Sequence, residues 1–137
     1  MYKAVKNEHD YDTWLIAAES TLVLQRIDSF LGVRRSDVEV SANKLKISFK
    51  DLKGQVRKEV HRVEVEALHN KAMTVSNTKY GEVPLCPVVI MKIALSRAGG
   101  GPNAHIFKQS YSQYVKSVDV LVDCLLYTSD AADDSDC

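Results

Sequence analysis

The first pattern of apolar positions lies between residues 10 and 31. Apolar or small residues recur there at alternating steps of three and four: Trp14, Ala17, Thr21, Leu24, Ile27 and Leu31. This spacing predicts one amphipathic helix, capped by Asp10 or Asp12 and ended by Gly32. Three turns fit the end of a coiled coil as well as a helix packed on its own sheet, so both alternatives stay open.

The period then changes to two, which is typical of strands. Apolar and polar residues alternate over residues 37–41 and 44–50, and Ala42-Asn43 between them predicts a tight hairpin turn. Further strands are predicted over residues 56–66 and 73–75. Four short sequential strands with one polar face indicate an antiparallel meander that has water on one side.

Two apolar segments follow the strands. Residues 84–98 are strongly apolar and begin with prolines, so they form either a helix or a buried strand. After the break at residues 99–102, Asn103 is the predicted cap of a final helix. Its apolar positions are Phe107, Tyr111, Tyr114, Val118 and Val122, and we expect Phe107 and Tyr111 to fill the core.

These elements predict an α+β fold: an N-terminal helix, a meander of about four strands, and two C-terminal helices packed on one face. The 137 residues, 45% of them hydrophobic, match the size and composition of one soluble domain. No apolar run reaches the roughly 18–20 residues of a membrane span, and no secretory signal is recognisable at the start. We therefore expect no membrane association.

Cysteine usage and charge narrow the class of partners. Cys86, Cys124 and Cys137 have no CxxC spacing, so we expect neither a zinc site nor a disulfide framework, and a reducing intracellular compartment. The net charge is zero. Because no dense stripe of lysine and arginine is present, we expect no direct binding of nucleic acid.

The last fourteen residues hold four acidic residues and no basic one. Within them, CLLYTSDAADD resembles the translation of a sequencing adapter, and a natural acidic disordered tail is the alternative. We therefore divide the chain into an N-terminal helix (1–31), a globular domain (32–123) and a non-native or disordered tail (124–137).

Some acidic residues have spacings that enzymes use. Asp37, with Asp51 and Lys53 at a strand end, superficially resembles the acids and lysine of metal-dependent nucleases. An exposed turn explains this spacing better. Glu64 and Glu66 lie on one strand face, as acid–base pairs can, but neighbouring basic residues favour a solvated face.

The remaining reactive groups form no motif. The four histidines lie in different elements without a matching serine, cysteine or aspartate. Cys86 lies in an apolar run, as buried structural thiols do. The three glycines before Pro102 lack the GK[ST] of a phosphate-binding loop and predict a flexible connection. We expect no enzyme activity, metal or cofactor.

The order of several segments resembles that of RWD-like domains. They are FLGV (30–33), KLKISFKDL (44–52), HRVEVEA (61–67), KYGEVPL (79–85) and a segment opened by asparagine and phenylalanine (101–118). Within that class they resemble the globular end of the Spc-twenty-five family of kinetochore subunits. The resemblance covers about 90 residues.

The resemblance implies a non-enzymatic adaptor at the kinetochore, in the nucleus, that acts in chromosome segregation. It implies a heterodimer with a sister coiled-coil/RWD subunit, formed in part by the leading helix, and a groove for a helix of inner-kinetochore proteins. We select six residues as candidate partner contacts: Trp14, Leu24, Ile27, Phe30, Leu31 and Tyr114. The alternative is another RWD-type module, for example one that binds ubiquitin-transfer enzymes.

Overall fold

The computed structural model describes residues 1–49 and 60–130. Its four α-helices are α1 (Glu8–Val23), α2 (Ile27–Leu31), α3 (Pro87–Ala98) and α4 (Tyr111–Asp130). Its five strands are β1 (Val38–Val40), β2 (Lys44–Phe49), β3 (His61–Glu66), β4 (Thr74–Asn77) and β5 (Gly81–Pro84). The fold is therefore α+β, with an N-terminal helix, antiparallel strands and two C-terminal helices, as predicted.

Strands β1, β2 and β3 form a three-stranded antiparallel sheet in sequence order. Leu45, Ile47 and Phe49 of β2 are buried, and Val63 and Val65 of β3 are partly buried. On the opposite face, Lys44 forms an ion pair with Glu64 at 2.8 Å. The alternation of apolar and charged residues therefore separates a core face from a solvent face, as predicted.

The sheet differs from the predicted four-stranded meander. Strand β4 pairs with β5 in a separate two-stranded sheet and not with β3. The sequence reading missed β5, because its four residues include Gly81 and Pro84, which are both unusual in strands. Of the predicted third strand, residues 56–59 lie outside the described residues.

Helix α1 lies inside the molecule. Its N-terminal cap is Asn7, whose side chain accepts a hydrogen bond from the Asp10 N–H at 2.9 Å, and not Asp10 or Asp12. The buried residues of α1 point in most directions around the helix: Tyr11, Thr13, Trp14, Leu15, Ile16, Glu19, Ser20 and Val23. The helix packs against α2, α3 and α4. The chain's own elements therefore cover most of α1, as in a core helix, and of the predicted stripe Thr21 and Leu24 stay exposed.

The predicted helix over residues 10–31 is two helices in the structure. Leu24 adopts a left-handed conformation with φ 61°, and the Gln25 N–H donates back to the Ser20 carbonyl at 3.1 Å. This arrangement is the usual C-terminal cap of a helix, but glycine normally occupies the left-handed position. The spacing of apolar residues continues unchanged past Leu24, so it gave no indication that the helix ends there.

Residues 84–98, predicted to form either a helix or a buried strand, form helix α3 over most of their length. Strand β5 ends at Pro84, and Pro87 occupies the first turn of α3. Helix α3 packs against all three strands of the larger sheet and against α1. It therefore separates the sheet from α1. Gly99 and Gly100 follow it with φ 64° and 77°, and a Cβ at Gly100 would lie 2.8 Å from that of Ala104.

The predicted cap at Asn103 is wrong, because α4 begins only at Tyr111. Residues 102–106 run beside residues 33–36, where the Arg35 N–H donates to the Ala104 carbonyl at 2.9 Å. Backbone groups that form these hydrogen bonds cannot also form a helix.

Phe107 is buried, as expected, but it precedes the helix. At its other end, the α4 backbone continues through Asp130, past the boundary that we placed before residue 124.

An N-terminal turn, Tyr2–Ala4, is attached to the small sheet by the buried side chain of Asn77. Its Nδ2 donates to the carbonyls of Tyr2 (2.9 Å) and Val5 (2.8 Å). Its Oδ1 accepts from the N–H groups of Lys79 (2.8 Å) and Tyr80 (3.0 Å). One amide therefore satisfies four backbone groups and joins two parts of the chain that are distant in sequence.

We expect Leu24→Gly to stabilise the protein by about 0.5–1 kcal/mol, measured as the free energy of unfolding in urea. Glycine adopts the left-handed conformation without steric cost, and the leucine side chain is 85% exposed, so little packing is lost. Leu24→Ala is the matched control, because it removes the same side chain but keeps a Cβ. Equal effects of the two substitutions would contradict this explanation.

We expect Asn77→Ala to destabilise the protein by about 2–4 kcal/mol, because it leaves four backbone groups without their partner. Thermal unfolding followed by circular dichroism measures the loss. Asn103→Ala serves as the control, since the Asn103 side chain is exposed. A loss no greater than that of the control would show that water replaces the Asn77 amide.

Candidate interaction surface

The six candidate contact residues do not form one exposed surface. Five of them contribute to the core of this chain: Trp14, Phe30, Leu31 and Tyr114 are buried, and Ile27 is partly buried. Leu24 is exposed, at the break between α1 and α2. A partner therefore has access to Leu24 alone among the six without a rearrangement of the core.

Two of the acidic candidates, Asp37 and Glu64, line one cavity beside the larger sheet, and each has a different partner. Asp37 is a buried residue at the end of a short turn, where its carboxylate accepts a hydrogen bond from the Arg34 N–H at 3.1 Å. Asp51 and Lys53 lie outside the described residues. On β3, Lys44 lowers the pKa of the exposed Glu64 by hydrogen bonding and by its charge, which is the effect of a surface ion pair. No three potential metal ligands cluster among the described residues.

One histidine lies beside a serine. His9 Nε2 is 2.7 Å from Ser117 Oγ, which joins the first turn of α1 to α4. The Ser117 hydroxyl donates to the Gln113 carbonyl at 2.8 Å. Its proton is thus directed toward the backbone, and His9 is the donor to Oγ. This arrangement positions α4 and does not activate the serine as a nucleophile.

Helix α4 is fixed at its N-terminal end by two sets of hydrogen bonds. Ser110 and Gln113 form a capping box, in which Ser110 Oγ accepts from the Gln113 N–H and Gln113 Oε1 accepts from the Ser110 N–H. Immediately before the helix, Gln109 Nε2 donates to Thr13 Oγ1 of α1 at 2.9 Å. The beginning of α4 is therefore held in place relative to α1.

The inner face of α4 packs on α1, α2 and the N-terminal turn. Tyr114 and Leu121 are buried on this face, and Val118 is partly buried beside them. Burial raises the pKa of the Tyr114 hydroxyl, and the nearby Tyr111 raises it further. These contacts use only part of the apolar surface of the helix.

A second apolar surface on α4 faces solvent. Tyr111 is 53% exposed, Val115 38% and Val122 39%. With the partly buried Val118 they follow steps of four, three and four, which place them in one row along the helix. We call these four residues the α4 stripe. The expectation that Tyr111 fills the core is wrong, because the inner row of α4 runs through Tyr114 and Leu121.

The surroundings of the α4 stripe are asymmetric. On one side lie the buried residues Tyr114 and Leu121. At a rotation of 100° per residue, Asp119 and Asp123 lie along the other side, and both are exposed. Neither carboxylate forms an ion pair within residues 1–49 and 60–130. The stripe is therefore bordered by the protein core on one side and, on the other, by an edge that carries Asp119, Asp123 and the exposed Lys116.

Some features of the α4 surface were predictable from the sequence. The S-x-x-Q spacing of Ser110 and Gln113 marks the true start of α4, and the sequence reading passed over it. Tyr111 and Val118 were recognised as apolar helix positions. Their separation from the buried row was not predictable, because it depends on which side of the helix α1 covers.

None of the helices in the described ranges is long and apolar enough to span a membrane. In comparisons with known proteins, no family model, curated protein or solved structure matches the chain.

Proposed function

We propose that this protein is an interaction module whose α4 stripe binds an amphipathic helix of a different polypeptide. The observation that carries the proposal is the solvent-facing row Tyr111, Val115 and Val122 on a helix that is already anchored on its other face. Helices that bind in this way present apolar residues at the same alternating steps of three and four. The rigid attachment of α4 to α1 reduces the entropy that binding would cost.

The charge beside the stripe supports a different polypeptide over a second copy. In an antiparallel pair with two-fold symmetry, the same edge of each helix meets its equivalent. The edges that carry Asp119 and Asp123 would then lie together. Lys116 shares this edge, so each edge keeps a net charge of −1 and the two edges repel only weakly. In a parallel pair, the edge with the aspartates would face the opposite edge of the second helix. That edge is covered by the core of the protein, because Tyr114 and Leu121 are buried there. A partner helix with lysine or arginine along one edge avoids both problems.

The resemblance to the Spc-twenty-five family supports a narrower form of the proposal. In this form the protein is a non-enzymatic kinetochore adaptor in the nucleus, and the occupant of the α4 stripe is a helix of its sister subunit. The resemblance implied that the leading helix contacts the sister subunit. Because the chain's own elements cover α1, we assign this contact to the exposed α4 stripe. Standard protein interfaces bury about 800 Å² on each partner, so the stripe would be the centre of a larger contact.

We expect Val115→Lys combined with Val122→Lys to weaken binding of the sister subunit at least tenfold, because each change places a charge in an apolar contact. Co-expression and co-purification, followed by titration of the purified partners, measure the effect. Circular dichroism should remain unchanged, since both side chains lie at the surface of α4.

The matched control is Val120→Lys. Val120 is 63% exposed on the same helix and lies roughly 160° around the axis from the stripe. We expect this variant to bind within twofold of the unmodified protein. Equal losses at Val120 and at the stripe, or no complex on co-expression, would overturn the proposal. Self-association through the stripe, detected by sedimentation, would replace it with a homodimer.

A further inference from the structure

A carboxylic acid lies inside the helical core. Glu19 occupies the fourth turn of α1 and is fully buried. Most buried polar side chains in proteins have a hydrogen-bond partner, but neither Glu19 Oε1 nor Oε2 has one among the described residues. The N-terminal cap of α3, Cys86, lies close enough for a negative charge on its thiol to act on Glu19.

The surroundings of Glu19 favour its neutral form. Removal of a carboxylate from water without a partner costs far more than removal of the neutral acid. Desolvation therefore raises the pKa of Glu19 well above its ordinary value, and the charge of Cys86 raises it further. The Cys86 thiol is a weak donor and forms no hydrogen bond with either Glu19 oxygen. Its own sulfur already accepts one from the Leu68 N–H at 3.3 Å.

We propose that Glu19 is a proton-dependent switch of the contact between α1 and α3. The protonated acid allows the closed packing described above. Loss of the proton leaves a buried charge without a partner, which favours a state in which α1 has moved away from α3 and Glu19 reaches water. This proposal concerns the core and is independent of the α4 stripe.

Charged groups on the packed elements do not compensate for an ionised Glu19. Among the described residues, no charged side chain forms a hydrogen bond or an ion pair with Glu19. Arg97 of α3 faces α1, but it forms ion pairs with Glu8 and Asp12 at the far end of the contact. The described side chains therefore provide no counter-charge for an ionised Glu19, and exposure to water is the remaining way to solvate it.

The direction of the pH dependence follows from the two states. Below about pH 4.5, Glu19 holds its proton in both the folded and the unfolded chain, so its ionisation has no effect on stability. Above that pH the unfolded chain releases the proton and the folded chain keeps it. Stability therefore falls as the pH rises, until the raised pKa of the folded state is reached. Within this window the ratio of folded to unfolded protein falls by up to tenfold per pH unit.

The test compares the full chain with its Glu19→Gln variant between pH 4 and pH 9. Trp14 is the single tryptophan, lies on α1 and is buried against Tyr2, so its fluorescence reports exposure of α1 to water. We expect the emission of the unmodified protein to shift to longer wavelength as the pH rises, with faster hydrogen exchange in α1. In Glu19→Gln both changes should be absent, because glutamine has the same shape and no proton to lose.

Glu39→Gln is the control, because Glu39 is an exposed glutamate on β1, and its pH profile should match that of the unmodified protein. Proton uptake on refolding of the unmodified protein at pH 6 provides a second measurement, for which Glu19→Met is the reference. It should exceed the uptake of Glu19→Met by up to one proton per chain. Identical pH profiles for the unmodified protein and Glu19→Gln, or no Glu19-dependent proton uptake, would overturn the proposal.

Discussion

The enclosure of α1 is the constraint on which the rest of the structure depends. Its buried residues, from Tyr11 to Val23, point in most directions around the helix. A helix that is apolar on most sides must be covered on most sides. Helix α3 covers one side and connects α1 to the sheet, while α4 and the N-terminal turn approach from other directions. The larger sheet contacts the helical core through α3. It therefore determines the arrangement of the helices less than its strand pattern suggested.

This enclosure also explains why α4 has two apolar faces. One face completes the covering of α1 through Tyr114 and Leu121. Once that covering is complete, no further element of the described chain lies outside α4, so the second row of apolar residues remains in solvent. An isolated exposed valine needs no explanation. An ordered row on an anchored helix is consistent with use as a binding surface.

The parts of the fold that sequence could predict are those that depend on local alternation. Strands β1 and β2, their hairpin and the two faces of the larger sheet follow directly from residues 37–50. The end of α1 was not predictable in this way, because Leu24 occupies a position where glycine is the usual signal. The start of α4 was misplaced because residues 102–106 pair with a segment about 70 residues earlier. Burial of Glu19 likewise depends on long-range packing.

The hydrogen bonds of the Asn77 side chain have a consequence for the order in which the protein can fold. Its contacts span 75 and 72 positions of sequence, to Tyr2 and Val5. On the ribosome, the first residues of the chain emerge long before the amide that will hold them. The N-terminal turn therefore lacks this attachment until Asn77 itself has left the ribosome. Contacts of such high sequence separation form slowly, so the interval before this closure is the period in which the nascent chain is most exposed to aggregation.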